Sequence, residues 1–337
     1  MSFSAYDFEP DDAEAQPKFH LTRFGDVSPD TTAAYLIKGL IPSGGLTVVW
    51  GPPKCGKSFW TFDLMMHVAL GTPYRGRRVQ QGIVVYVALE GGNGFRQRIE
   101  AYKRYHGIAD APFYLITDRT DLVRDYKALI ADIKDQTPDV PVAVVIDTLN
   151  RSLAGSESSD EDMASYIKAV DAIREAFGCA VIVVHHCGVD EGRPRGHTSL
   201  TGATDGQIAI KRQETTIVAT VEWLKDGVEG DVINSRLESI EVGLDEDHEP
   251  ITSCVILPVE VAPSPAAPAE PRLSKNQRTM FDLLHRAGNT GLTLADWNEK
   301  AREVGIGVAR KADLYDVRSA LVSKHLVREL GDRWVVT

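Results

Sequence analysis

Between residues 46 and 223, short apolar runs alternate with segments in which apolar side chains recur every three or four positions. The runs predict strands over 46–50, 83–89, 142–147, 180–185, 207–211 and 216–223. The intervening periodicity predicts helices over 57–70, 94–105, 122–136 and 160–177. The first helix carries Phe59, Phe62, Met66 and Ala69 along one stripe and stops at Gly71, so it reads as amphipathic. Residues 142–146 are apolar at every position, as expected of a strand covered by helices on both faces of a sheet. The predicted fold class is therefore α/β, with a mainly parallel central sheet flanked by helices.

The pattern changes at both ends of the chain. Residues 1–30 are polar and acidic with scattered prolines and predict a flexible arm. A core domain is expected over 31–257, a proline- and alanine-rich linker over 258–271, and a small domain over 272–337. The small domain reads as helices over 274–286, 293–304 and 308–325, followed by a short hairpin at 326–336, the order of a winged helix-turn-helix. Arg310, Lys311, Arg318 and Lys324 would then meet nucleic-acid phosphates, although Asp313 and Asp316 on the same helix also suit a protein-docking module.

Composition sharpens this division. The formal charge of −11 argues against a protein that coats nucleic acid along its whole surface. From Arg272 to Thr337, twelve basic side chains face eight acidic ones, a net of +4, so the preceding residues carry −15. The four cysteines, Cys55, Cys179, Cys187 and Cys254, show no metal-ligand spacing and read as reduced thiols. The acidic N-terminus has no leader pattern and no apolar run reaches membrane-spanning length, so a soluble, cytoplasmic protein with no membrane partner is expected.

The chemistry concentrates where strands end. Gly51-Pro52-Pro53-Lys54-Cys55-Gly56-Lys57-Ser58 follows the first strand and opens the first helix, which is the order of a phosphate-binding loop. The loop residues Gly51, Pro52, Pro53, Lys54, Cys55, Gly56, Lys57, Ser58 and Phe59 would wrap the phosphates of ATP, with backbone N–H groups from all but the two prolines; Lys57 would reach the outer phosphates, and Ser58 would ligate Mg2+. Asp147, ending a buried strand, would hold the magnesium side. Glu90, ending another, would polarise the attacking water as general base. His185-His186 ends a third strand, and a histidine there can hydrogen-bond the γ-phosphate; metal binding is disfavoured because adjacent residues of a strand point to opposite faces. A glycine-rich stretch over 187–202 carries Arg193, Arg195 and His197, which can hold a single strand electrostatically, without an aromatic stacking residue.

This ordered set resembles the RecA-like P-loop ATPases, and within them the AAA-type group related to RepA-type hexameric replicative helicases of plasmids and phages. The likeness runs from Leu36-Ile37-Lys38-Gly39-Leu40-Ile41-Pro42 through the phosphate loop, Tyr86-Val87-Ala88-Leu89-Glu90-Gly91, Asp147-Thr148-Leu149-Asn150-Arg151 and His185-His186 to the segment beginning Arg195-Gly196-His197. The resemblance implies a homo-oligomer, a hexameric ring, with nucleotide between subunits and a basic finger from the neighbour. Lys225 matches the finger position, Trp223 stands where such proteins carry a partner lysine, and Arg212 is a reserve finger. It further implies a DNA helicase acting on single-stranded DNA, with the C-terminal domain binding duplex DNA or a replication protein. A filament-forming recombination or annealing ATPase and a nucleotide-switched DNA-binding regulator are the other readings.

Overall fold

The computed structural model describes residues 21–28, 35–188, 194–196, 198–259, 273–308, 310, 312–324 and 326–336. The chain divides into two compact units, Met1–Glu260 and Val261–Thr337.

In the first unit a two-stranded ribbon, β1 (Tyr35–Ile37) and β2 (Ile41–Pro42), precedes the main sheet. The chain then runs β3 (Leu46–Gly51), α1 (Lys57–Leu70), β4 (Val84–Ala88), α2 (Gly92–His106), β5 (Phe113–Ile116), α3 (Leu122–Gln136) and β6 (Ala143–Asp147). It continues through α4 (Leu149–Ser152), α5 (Asp160–Phe177), β7 (Ala180–His186), α6 (Thr198–Ala203), β8 (Gly206–Gln213), β9 (Thr216–Leu224), β10 (Val232–Leu244) and β11 (Pro250–Pro258). The nine main strands lie in the order β11-β10-β9-β8-β3-β7-β6-β4-β5. The block from β8 to β5 is parallel throughout, and β9, β10 and β11 extend it as antiparallel strands.

Alternation along β6 shows why its run is apolar at every position. Ala143 and Val145 enter the core under α1 and α2, while Val144 and Ile146 enter the core under α3 and α5. Each face is sealed by helices, so neither set of side chains meets water.

The structure departs from the sequence pattern at several points. The phosphate-loop helix α1 is not amphipathic: besides the expected stripe it buries Trp60, Thr61, Asp63, Leu64, Met65 and Val68. The hairpin β10–β11, which the sequence reading missed, packs on α1 and α2 and covers the face that would otherwise be wet. Neither Asp147 nor Glu90 ends a strand next to β3: β7, carrying the two histidines, is inserted between β3 and β6, and β4 lies one strand further out. The stretch over 187–202 is shorter as a loop than expected, because α6 begins at Thr198. Among the described residues no helix is long and apolar enough to cross a membrane.

The second unit has α7 (Lys275–Arg286), β12 (Leu292–Thr293), α8 (Leu294–Glu303), α9 (Ala312–Ser323), β13 (Val327–Leu330) and β14 (Arg333–Val336). Its strands form an antiparallel sheet in the order β12-β14-β13. Ser274 and Gln277 form a reciprocal capping box at the start of α7, satisfying N–H groups that the first turn leaves over. Trp297, fully buried, donates Nε1–H to the Met280 carbonyl at 2.9 Å and joins α8 to α7 within a core that includes Leu284, Leu314 and Leu321. Of the expected linker, only Pro258 and Val259 are among the described residues.

Candidate functional site: a phosphate loop at the ends of the parallel strands

The loop after β3 turns where two glycines are required. A Cβ on Gly51 would collide with the Ile210 carbonyl of β8, and one on Gly56 with the Ile217 side chain of β9. Gly56 also adopts φ +102°, a region L side chains avoid, and it caps α1 so that Lys57, Ser58 and Phe59 form the first helical turn. Their N–H groups have no partner one turn earlier in the helix and face outward from its positive end, a ready anion site.

Lys57 is buried and donates Nζ–H to the carbonyls of Gly51 at 2.9 Å and Pro52 at 2.8 Å, with His186 Nδ1 at 3.5 Å. Burial pushes its pKa below the ordinary lysine value, opposed by the charges of Cys55, Asp147, Cys187 and Glu90. Cys55 is buried in the loop, and burial raises its thiol pKa.

Asp147 is buried and accepts from Ser58 Oγ at 3.1 Å and from the Tyr86 hydroxyl at 2.6 Å. Burial raises its carboxyl, and these two hydrogen bonds pull it back. The Ser58–Asp147 contact sets a hydroxyl and a carboxylate at one locus, a hard-oxygen donor pair that suits a magnesium ion completed by phosphate and water. Among the described residues no group of three or more His, Cys, Asp and Glu is placed to hold a metal ion.

Glu90 lies across the cavity. Its Oε1 accepts from Thr148 Oγ1 at 3.2 Å, and His186 Nε2 lies 3.5 Å and Arg151 Nε 3.8 Å away. The His186 hydrogen bond, first, and the Thr148 bond and nearby charges hold its carboxyl below the usual range despite partial burial. An ionised carboxylate there can orient and polarise water. The histidine pair divides as strand geometry requires: His185 is buried and its Nε2 meets the Arg195 carbonyl at 2.7 Å, while His186 faces the site. The open cavity lined by Lys57, Ser58, Glu90, Thr148 and His186 measures about 280 Å³.

The remaining sequence-predicted residues lie in several places. Arg195 is exposed and its Nε lies 3.1 Å from the buried Glu157 carboxylate, while its backbone N–H bonds the His186 carbonyl at 3.0 Å, close to the site. Arg193, His197 and Lys311 lie outside the described residues. Lys225 and Trp223 stand at the other end of the sheet, where Lys225 Nζ lies 3.6 Å from Asp205. Arg212, expected as a reserve finger, lines the cavity of its own chain, because β8 runs parallel to β3 and its far end reaches the loop. In the second unit Arg310 precedes α9 instead of lying on it, Arg318 Nη1 donates to Asn298 Oδ1 at 3.4 Å and its guanidinium lies 5.5 Å from the Trp334 ring, and Lys324 donates to Gln277 at 2.9 Å.

Sequence reasoning missed Thr148, Leu237 and Arg98 at this cavity and Tyr86 buried behind Asp147. Only Arg98 had a readable signal, because it follows Phe95 by one helical turn just beyond the Glu90-Gly91-Gly92 strand end.

A phosphate loop on the central strand, with Asp147, Glu90 and His186 delivered to it by the three parallel strands beyond, is the arrangement of a P-loop ATPase. Residues 11–192 match the AAA_25 family, described as an AAA domain, which is more than half of the chain, and the protein belongs to that family. No curated protein matches the sequence. Among solved structures, the chain is similar to the RadB recombinase at 19% identity, covering 59% of this chain and 89% of that one, with a TM-score of 0.44. A KaiC-like protein of the hyperthermophilic archaeon Pyrococcus horikoshii matches at 14% identity, covering 66% and 94%, again with a TM-score of 0.44.

Proposed function

We propose that this protein is an ATP-hydrolysing, DNA-linked motor, a RepA-like replicative or accessory helicase of a phage, plasmid or other mobile element. The observation that carries the reading is the convergence of Glu90, Asp147 and His186 on the Lys57–Ser58 loop from three neighbouring strand ends. Lys57 neutralises the outer phosphates and helix α1 offers its first-turn N–H groups to them. Ser58 and Asp147 would hold Mg2+, which would supply positive charge next to the phosphates. Glu90 aligns the attacking water and His186 reads the γ-phosphate, linking its loss to β7 and, through the Arg195 backbone, to the segment over 187–202 that contacts a single strand.

Lys225 acts on a neighbour's nucleotide. Its position at the starting end of β3, one strand length of about 16 Å from the loop, argues against a role on its own phosphates. The assembly is a homo-oligomer, most simply a hexameric ring, in the cytoplasm. Residues 31–257 form the motor core, 258–271 a linker, and 272–337 a winged-helix domain that tethers duplex DNA or a replication protein, with Arg310 and Arg318 among its contacts.

Strand displacement of a forked DNA, measured beside ATP turnover, tests the reading. Unmodified protein is expected to unwind while Lys57→Ala neither hydrolyses nor unwinds. Full ATP turnover with no unwinding by the unmodified protein rejects the helicase, and an open helical filament on single-stranded DNA by electron microscopy would favour the recombinase reading.

A further inference from the structure

Helix α2 brings to the phosphate cavity a cation that the loop signature does not contain. The Arg98 guanidinium carbon lies 3.9 Å from the centroid of the Phe59 ring and 4.9 Å from that of Phe95. Phe59 immediately follows Ser58, so the stack holds the guanidinium beside the metal side of the loop, and Arg98 lines the same cavity as Lys57, Ser58 and Glu90.

Its polar atoms are unusual for a protein interior. Nε and Nη1 are buried and have no hydrogen-bond partner among the described residues. The acidic neighbour Asp147 commits one carboxylate oxygen to Ser58 and the other to Tyr86. A buried guanidinium with idle donors is costly, and such groups persist where a ligand supplies the acceptors. Arginine suits the place better than lysine, because a planar fork can stack on aromatic rings and still present two parallel N–H bonds to a phosphate.

We propose that Arg98 is a phosphate ligand acting in cis, donating to the terminal phosphate of the bound nucleotide and supplying within one chain part of the charge stabilisation that a neighbour's finger supplies across an interface. The terminal phosphate is chosen because Arg98 lines the same cavity as Ser58 and Glu90 and its charge acts on Asp147, the groups assigned to metal and water. This rests on the ATPase reading above.

Arg98→Met tests it, because an unbranched side chain keeps the packing between Phe59 and Phe95 while removing every donor. The apo protein is expected to melt at the same temperature or higher, since an unpaired buried charge has been removed. Affinity for a nonhydrolysable ATP analogue with Mg2+, by calorimetry, should fall about 10- to 100-fold, while ADP affinity changes less than about threefold. Arg98→Lys should restore part of the loss. A lower apo melting temperature with both affinities unchanged would make Arg98 a packing residue and overturn the proposal. Equal losses for the two nucleotides would overturn the assignment to the terminal phosphate. If unmodified protein binds neither nucleotide, the ATPase reading falls and this proposal with it.

Discussion

Two arginines at opposite ends of the same sheet show how differently this molecule treats partly buried charge. At the starting end of β3, Arg174 has every nitrogen engaged: Nε donates to the Gly44 carbonyl at 3.0 Å, Nη1 to Asp171 at 2.9 Å and Nη2 to Asp205 at 3.2 Å. Asp205 in turn accepts the Leu46 N–H at 2.9 Å and pairs with Lys225. At the finishing end, Arg98 leaves two buried nitrogens without partners among the described residues, and Lys57 donates to carbonyls of the very loop that would wrap a phosphate. The closed network pins β3 to β8 and α5, so its free energy is spent within the fold. The open one retains binding capacity that only an anion can use.

The comparison predicts opposite phenotypes. Lys57→Ala should lower ATP turnover about 10³-fold with little change in melting temperature, measured by steady-state hydrolysis beside thermal unfolding. A comparable loss of stability would show the loop lysine to be structural. Glu90→Gln should lower kcat about 10²-fold while nucleotide affinity survives, because the amide still fills the place without polarising water. Asp205→Ala should reverse the pattern, costing about 2–3 kcal/mol of stability by denaturant unfolding with KM unchanged, since it strands the Leu46 N–H and Arg174.

Asp63 sharpens the rule by breaking it. On α1, away from both networks, it is buried with only Arg75 at 3.9 Å for an ion pair among the described residues, and burial, opposed by Arg75, raises its pKa to about 7. The folded state therefore binds a proton more readily than the unfolded one, so this group's contribution favours folding at low pH and weakens from about pH 4 to pH 7. Asp63→Asn should remove that slope and make the protein more stable than wild type at pH 8 by about 1–2 kcal/mol, checked by unfolding at pH 5 and pH 8. Lys225→Ala should give the smallest change, under about 1 kcal/mol, because its side chain is 63% exposed and its pair with Asp205 is screened by water.

The legible parts of the molecule are those with one dominant local signal. Helices α1, α3 and α5 begin and end at the expected residues because glycine or an unambiguous break in periodicity stops them. Strands β3, β4, β6 and β7 fall within a residue or two of expectation because both faces are apolar. The hairpin β10–β11 is not legible: glutamate, serine and arginine interrupt its alternation, the register shifts between Glu241 and Gly243, and much of it is half-exposed. In the second unit, the sequence pattern carries Val308 and Arg310 into a helix that starts only at Ala312, because Gly305 and Gly307, both at positive φ, belong to the turn before it.

By itself the sequence determined the α/β alternation, the phosphate loop and the three strand-end side chains, since each is a local property of a strand, a turn or a helix start. Tertiary structure alone decided that β7 separates the loop strand from Asp147, that Arg212 lines its own chain's cavity, and that Arg98 lies against Phe59 with two buried donors unpartnered among the described residues. Strand order and the partners of a side chain depend on contacts between residues far apart in the chain. Hydrophobic periodicity constrains which face is buried and leaves open what that face will meet.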